Sequence, residues 1–416
     1  MTGVASRRPS PVRTILAGAL VVASVLTACT GDDDTAPTTT EAVTTTTIAP
    51  RVSDGVLHLG IFLPTTGPGA AIGPPMIAAI NDAVATIDSL GGVLGHDIEM
   101  TPVDEGAGTI QDLLDAGVDA IIGPASSLIA LSQLQPAVDA NTGVVVCSPM
   151  ATALALDNYP DHNLFFRTAP SDSLQMVAIA RQAERTGTRS LAIGYLDDPY
   201  GRGLAESLEQ AADGRPLEIT RSLGFSSDQD DLTDIADQLL ADDPGVVAVL
   251  GDADDGSRLL TALDNATTDP PLVIVNDTIR QARQTIQSLS PTFREQLEGV
   301  APASGSMIDG APSGFFVPHA VDCVNLIALA VIDAQSDDPK TFRREMTSVS
   351  SGGRVCVTFE GCAAFLEDNL GIDYNGLSGR LELANATGDP TRANFEVFGF
   401  DADGDEIGDV VTEVGP

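Results

Sequence analysis

Ala120-Ile121-Ile122-Gly123-Pro124-Ala125-Ser126-Ser127 and Val145-Val146-Cys147-Ser148-Pro149-Met150-Ala151-Thr152 decide the fold. Each is a short, continuous apolar run that ends in a tight glycine or proline turn and then in hydroxyl residues. A run without polar alternation reads as a strand covered on both faces, the signature of a parallel sheet. Hydroxyls directly after such a strand sit where the next helix starts, with unpaired N–H groups and a partial positive charge. Two such starts side by side at the carboxyl edge of a sheet form a cradle for a carboxylate without any arginine. The alternative is that Ser126, Ser127 and Thr152 only cap their helices.

Outward from these runs the same alternation continues. Val56 to Leu63 reads as a buried strand and Met76 to Leu90 as a helix closed by Gly91-Gly92. Strands follow at Ile98 to Val103, Ala120 to Gly123 and Gly143 to Cys147. After Arg167 the order restarts, with helices at 171–186, 202–213, 229–241 and 256–264 and strands at 190–195, 216–221, 245–250 and 271–275. Sustained βαβ alternation predicts parallel sheets with helices on both faces, and two sets of about five strands predict two doubly wound α/β lobes. The rhythm breaks near the end, where Val317 to Ala334 reads as one long apolar helix, followed by short strands at 380–384 and 394–400 and an acidic turn.

Ahead of these elements, Arg7, Arg8 and Arg13 precede the apolar run Ile15 to Leu26 and then Leu26-Thr27-Ala28-Cys29. This order describes a secretory signal over residues 1–28, its apolar run too short to span a bilayer. Leu-Thr-Ala-Cys is similar to the bacterial lipobox, which makes Cys29 the expected lipidation site and new N-terminus. Residues 29–54, with Asp32 to Asp34 and two threonine runs, read as a flexible tether. The expected location is the outer face of the cytoplasmic membrane, held there by lipid.

The chain has 416 residues, 59 acids against 21 bases and a formal net charge of −38. That excess argues against nucleic acid or anionic lipid as a direct partner. Loss of the leader removes three arginines and no acid, so the mature chain is more acidic still. With 43% hydrophobic residues the chain has ample material for a core.

Enzyme signatures are weak. His58, His96, His162 and His319 fall in no metal-ligand spacing, and neither a nucleophile elbow nor a phosphate-binding loop is present. Gly67 to Gly73 has the setting of a dinucleotide fingerprint but is one residue too long, so it reads as a tight glycine turn, and no cofactor is expected. Asp401, Asp403, Asp405 and Asp409 resemble the start of a calcium loop, but Glu406 and Thr412 stand where glycine and a bidentate acid are required, so no metal is expected. Cys356 and Cys362, which flank a five-residue gap in an exported chain, are expected to pair. Cys147 and Cys323 read either as buried thiols or as a second bridge.

Leu63-Pro64-Thr65-Thr66-Gly67-Pro68, Gly91-Gly92-Val93-Leu94-Gly95, Asp119 to Pro124, Phe166 to Asp172, Asp197 to Gly203 and Ile372 to Gly379 occur in an order that resembles the type I periplasmic solute-binding proteins of the branched-chain amino acid (Leu/Ile/Val-binding) ABC transporter class. The resemblance implies two lobes joined by a three-stranded hinge, one from 55–168 and 303–378, the other from 169–302 and 379–416. It implies that Ser127 and Thr152, beside Ser126, hold a ligand carboxylate. The Met150 carbonyl and Asp277 would take its ammonium, and Tyr200 would close over it. Two positions often aromatic in the family are Ile72 and Val321 here, which implies a more aliphatic side-chain subsite. The segment from Val103 to Ala116 is shorter than usual. The implied partners are a small amino acid or related carboxylate and an ABC transporter permease. Alternatives are a signalling receptor of the same fold, a receptor for another small molecule such as an amide, and an exported hydrolase with Asp277 or Asp322 as base.

Overall fold

The computed structural model describes residues 53–67, 69–141, 143–305, 310 and 312–415. The leader, Cys29 and all of the tether but its last two residues lie outside the described residues. The first lobe begins with β1 (His58–Leu63), α1 (Gly73–Ser89), β2 (Glu99–Asp104), α2 (Ile110–Ala116), β3 (Ala120–Ile122), α3 (Ser127–Ala137), β4 (Val145–Ser148) and β5 (Phe165–Arg167). Its five strands are parallel in the order β2-β1-β3-β4-β5. Met76, Ala79, Ile80, Val84 and Ile87 recur at helical spacing along α1 and are buried against the sheet.

Then come α4 (Asp172–Arg185), β6 (Ser190–Leu196), α5 (Pro199–Ala212), β7 (Glu218–Phe225), α6 (Thr233–Leu240), β8 (Val246–Leu250), α7 (Ala253–Ala266) and β9 (Leu272–Asn276). Two short helices, α8 (Arg283–Ser288) and α9 (Pro291–Glu295), lead to β10 (Leu297–Pro302). The chain returns through α10 (Val317–Ala334), α11 (Pro339–Phe342), α12 (Glu345–Ser348), β11 (Arg354–Cys356), α13 (Phe359–Glu367), β12 (Ile372–Gly376) and β13 (Gly379–Arg380). It closes with β14 (Ala393–Phe400) and β15 (Glu406–Val414).

Several expectations need correction. The second sheet has seven strands, β15-β14-β10-β9-β8-β6-β7, and β14 and β15 run antiparallel on one edge, so it is mixed rather than parallel. β10 was not expected because Glu298, Gly299 and Pro302 interrupt its apolar pattern. β7 begins and ends later than 216–221 because an edge strand is only half-buried and carries a weak pattern. At 380–384 only Gly379–Arg380 forms a strand, which joins β11 and β12 in a small third sheet. Leu381 and Leu383 pack in the same core as β1 and α10.

α10 is long and apolar enough to cross a membrane, yet 83% of it is buried in the protein. It is the core helix of the first lobe. Two disulfides hold this region: Cys356–Cys362, as expected, and Cys147–Cys323, which joins β4 to α10. The second resolves the alternative left open for that pair. Asp322, weighed above as a base, is a structural clasp. It accepts from the Tyr374 hydroxyl (2.8 Å), the Leu377 and Ser378 amides (2.7 and 2.9 Å) and the Ser378 hydroxyl (2.6 Å). A Cβ on Gly376 would lie 2.1 Å from that carboxylate, so only glycine fits there.

Chain segments cross between the lobes side by side. The Arg167 amide bonds the Gly388 carbonyl (3.1 Å), and the Ala303 amide bonds the Asn394 carbonyl (2.9 Å).

Candidate functional site

In both sheets the parallel strands end at the same side, and the loops after β3, β4, β6 and β9 carry the polar residues. β3 ends at Gly123, whose φ of +119° and closeness to the Phe62 carbonyl (1.9 Å from a would-be Cβ) exclude other residues. That turn aims the start of α3 at the carboxyl edge. The amides just ahead of it are engaged: the Glu105 carboxylate, buried just past the end of β2, accepts from the Ala125 and Ser126 amides at 2.8 Å each. The Ser126 hydroxyl accepts from the Ile129 amide (3.3 Å) and is the helix N-cap. Ser126 is thus bonded inside the protein at both ends. The Ser127 hydroxyl accepts from the Ala153 amide (3.2 Å) and so links the two loops.

The loop after β4 differs from expectation, because no α-helix starts at Thr152. The described chain makes only a single 3₁₀ turn, Leu154–Leu156. The cause is Arg167, which lies wholly buried beneath this loop and draws the Ala151 and Ala153 carbonyls to its Nη1 (3.4 and 3.3 Å). Its other nitrogens bond Asp157 and Asp389, each at 2.6 Å. The cradle therefore has one helix start rather than two.

Thr152 instead reaches across to the second lobe. Its hydroxyl hydrogen-bonds Asp172, and its carbonyl accepts from the Asp172 amide (2.9 Å). Asp172 begins α4, and Gln175 stands one turn on. Asp277 follows β9, accepts a hydrogen bond from Gln175 and interacts electrostatically with Asp172. Asp172, Gln175 and Asp277 are 1%, 2% and 4% exposed. Asp172 Oδ2, Gln175 Oε1 and Asp277 Oδ1 have no hydrogen-bond partner among the described residues. Tyr200, at the start of α5, is half-buried beside them, and its hydroxyl accepts from Asn276 Nδ2 (3.3 Å). Asn276 also bonds both backbone groups of Gly251 (3.0 and 3.1 Å), which ties that loop to the site.

Burial raises the pKa of Asp172 to about 7, with the negative charge of Asp277 adding to it. Burial likewise raises Asp277, and burial plus the two carboxylates hold the Tyr200 phenol well above its ordinary value. A carboxyl whose folded pKa lies above its unfolded one destabilises the native state increasingly as pH rises through that interval. Asp172→Asn is therefore expected to stabilise the protein, by an amount that grows between pH 4 and 7, flattens above, and reaches on the order of 2–4 kcal/mol. Urea unfolding of both proteins at pH 4.5 and 8 checks this. A gain that does not grow with pH would contradict it.

Of the residues expected at the site, Thr152, Tyr200 and Asp277 are brought together, and Ser127 is one hydrogen bond away through Ala153. Met150 is half-buried against the first core, and Ile72 packs on the same core at the start of α1. Val321 lines an apolar cavity of about 280 Å³ with Ala79, Ala83, Phe359 and Leu377. Sequence reading missed Asp172, Gln175, Glu105 and Arg167. Asp172 and Gln175 carry a signal, since they share one helix face three residues apart. Among the described residues no three His, Cys, Asp or Glu side chains group as metal ligands. Asp401 accepts from the Asp403 and Asp405 amides (3.0 and 2.9 Å) and shapes a hairpin turn.

A mixed two-lobe α/β fold with polar groups at facing carboxyl edges defines a class of binding protein. The periplasmic binding protein family profile matches residues 56–353, and the chain belongs to that family. The leucine-, isoleucine-, valine-, threonine- and alanine-binding protein of Pseudomonas aeruginosa is 26% identical over 304 residues, 68% of this chain and 80% of that protein. The Leu/Ile/Val-binding protein BraC3 of Rhizobium johnstonii is 26% identical over 183 residues, 41% of this chain and 49% of that protein. The Streptococcus pneumoniae branched-chain amino acid transporter binding protein LivJ, solved with isoleucine, superposes with a TM-score of 0.63 at 18% identity. That match covers 87% of this chain and all (100%) of LivJ. A Burkholderia xenovorans branched-chain amino acid ABC transporter ligand-binding protein superposes with a TM-score of 0.69 at 14% identity, over 86% and 96% of the two chains. The family and these relatives are substrate-binding proteins rather than enzymes, and such proteins are exported.

Proposed function

We propose that the protein is an exported, lipid-anchored receptor that captures a small amino acid or related carboxylate between its lobes and delivers it to an ABC transporter permease. The observation that carries this reading is the contact between lobes at the site: Thr152 from the first is bonded to Asp172, which faces Asp277 and Tyr200 of the second. A ligand seated there touches both lobes, so binding favours the closed arrangement by its differential affinity for it. The lobes are read as 55–168 with 303–378 and 169–302 with 379–416. In this reading Ser127 and Thr152 donate to the ligand's carboxylate, the Thr152 hydroxyl turning to it from Asp172, the Met150 carbonyl and Asp277 accept from its ammonium, and Tyr200 covers it. Ile72 and Val321 border the aliphatic end. Cys29 carries the lipid and residues 29–54 give the receptor its reach.

Calorimetry against the amino acids combined with small-angle scattering tests the reading. One-to-one binding with a smaller radius of gyration is expected. Ser127→Ala with Thr152→Val is expected to weaken binding about ten- to hundredfold while the fold survives. Absence of binding across the amino acids, with no compaction, would overturn the receptor assignment. Mass spectrometry of the mature chain reads the lipid on Cys29.

A further inference from the structure

Three acceptor oxygens in the site lack hydrogen-bond partners among the described residues, and they come from two kinds of side chain. Asp172 Oδ2 and Asp277 Oδ1 are carboxylate oxygens, whereas Gln175 Oε1 belongs to an uncharged amide. The orientation of that amide is set, because Gln175 Nε2 donates to the Val300 carbonyl (2.9 Å) and the Gln175 side chain also donates to Asp277. A buried polar atom without a partner is unfavourable unless a ligand or solvent supplies the donor. Three acceptors in one buried place match the three N–H donors of a primary ammonium.

The opposite end of the site is less well equipped. Glu105 takes the Ala125 and Ser126 amides just ahead of α3, so the protein's own carboxylate lies beside the anion cradle. The basic groups nearby are committed elsewhere. Arg167 is paired with Asp157 and Asp389, and Arg280 with Glu396 and Glu406. What remains for a ligand anion is the Ser127 hydroxyl and the start of α3, because the Thr152 hydroxyl is bonded to Asp172.

We infer that recognition in this chain rests on the ligand's cationic end: Asp172, Gln175 and Asp277 form a three-acceptor nest for a primary ammonium, and small aliphatic amines without a carboxylate are ligands. The inference rests on the receptor reading above and deepens it by naming the group that selects the ligand. Asp172 and Gln175 are specificity-determining residues alongside Asp277. The groups facing the nest are Asp157 and Arg167 from the first lobe and crossing, Tyr200 from α5, and Asp277 and Arg280 after β9. Burial, with the negative charge of Asp277 adding to it, keeps Asp172 partly protonated at neutral pH when no ligand is bound. An arriving ammonium replaces that proton, which leaves to the buffer.

The test is calorimetry on the full chain with alanine, valine and leucine, each beside its decarboxylated amine and its deaminated acid, in two buffers of different ionisation heat. The amines and amino acids bind and the deaminated acids do not. Binding releases protons at pH 7 and fewer at pH 9. Asp172→Asn weakens amine binding about ten- to hundredfold and abolishes the proton release, while its unfolding curve shows an intact fold. Deaminated acids that bind where the amines fail would overturn the inference, as would Asp172→Asn affinities equal to wild type. In either case amino acid binding by the wild-type chain would leave the receptor reading standing. Silence from amino acids, amines and acids alike would end both.

Discussion

Replacing Cys147 and Cys323 together by alanine is expected to destabilise the folded protein by about 5 kcal/mol, and to lower its melting temperature by roughly 5–10 °C. The bridge joins residues 176 apart in sequence. Cys147 lies in β4, before the chain leaves the first lobe, and Cys323 lies in α10, after it has returned. The loop it closes therefore contains most of the second lobe, and in the chain-entropy account the unfolded state gains most when a long loop is released. Cys356–Cys362 closes a loop with a separation of only 6, for which the same account gives about 2 kcal/mol. Denaturant unfolding of the two double variants should place the Cys147/Cys323 pair well below the other. Equal losses would mean that local packing, not loop closure, carries the contribution. Both sulfurs of the long bridge are buried in the first core, so a reductant should open the short bridge first.

Arg167→Met is the second large effect, a loss of about 3–5 kcal/mol. The methionine keeps much of the apolar stem but leaves Asp389 and Asp157 without their cation in a buried setting. Removal of one partner of such a network costs more than the network itself contributes, because the remaining charge stays desolvated. Burial already raises Asp389, and Arg167 is what counters that rise. Without it the folded pKa of Asp389 moves further above its unfolded value. The variant then loses stability as pH rises through that interval, and the gap to wild type narrows on acidification. Urea midpoints at pH 5 and 8 read this. The triple variant with Asp157→Asn and Asp389→Asn should recover part of the loss, since it removes the stranded charges. A pH-independent gap with no recovery would show that shape, not charge, is what Arg167 supplies. The same variant frees the Ala151 and Ala153 carbonyls, so Thr152 should lose its fixed place and ligand affinity should fall with stability.

The two sheets and their helices are legible in the sequence because they arise from local signals. Continuous apolar runs such as 120–122 and 246–250 can bury both faces only in a parallel sheet, and the spacing of Met76, Ala79, Ile80 and Val84 admits only a helix. Where the local signal is weak the reading fails. β10 is interrupted by Glu298 and Gly299, β7 is a half-buried edge, and the small third sheet is built from short pieces whose pairing depends on α10. Thr152, Tyr200 and Asp277 are singled out by blocks that resemble a family, and the structure sets all three beside Asp172.

What the sequence by itself determined is the class: leader, tether and alternating strands and helices, with polar loops at the strand ends. What only the tertiary structure decided is which of those polar groups remain available. Glu105 reaches the α3 amides from 20 residues away, Arg167 reaches Asp389 across 222, and Asp172 faces Asp277 from another strand end. Each satisfies or strands a partner that no local pattern identifies. The reason is that hydrogen bonds and desolvation act between neighbours in space, whereas hydrophobic periodicity acts along the chain.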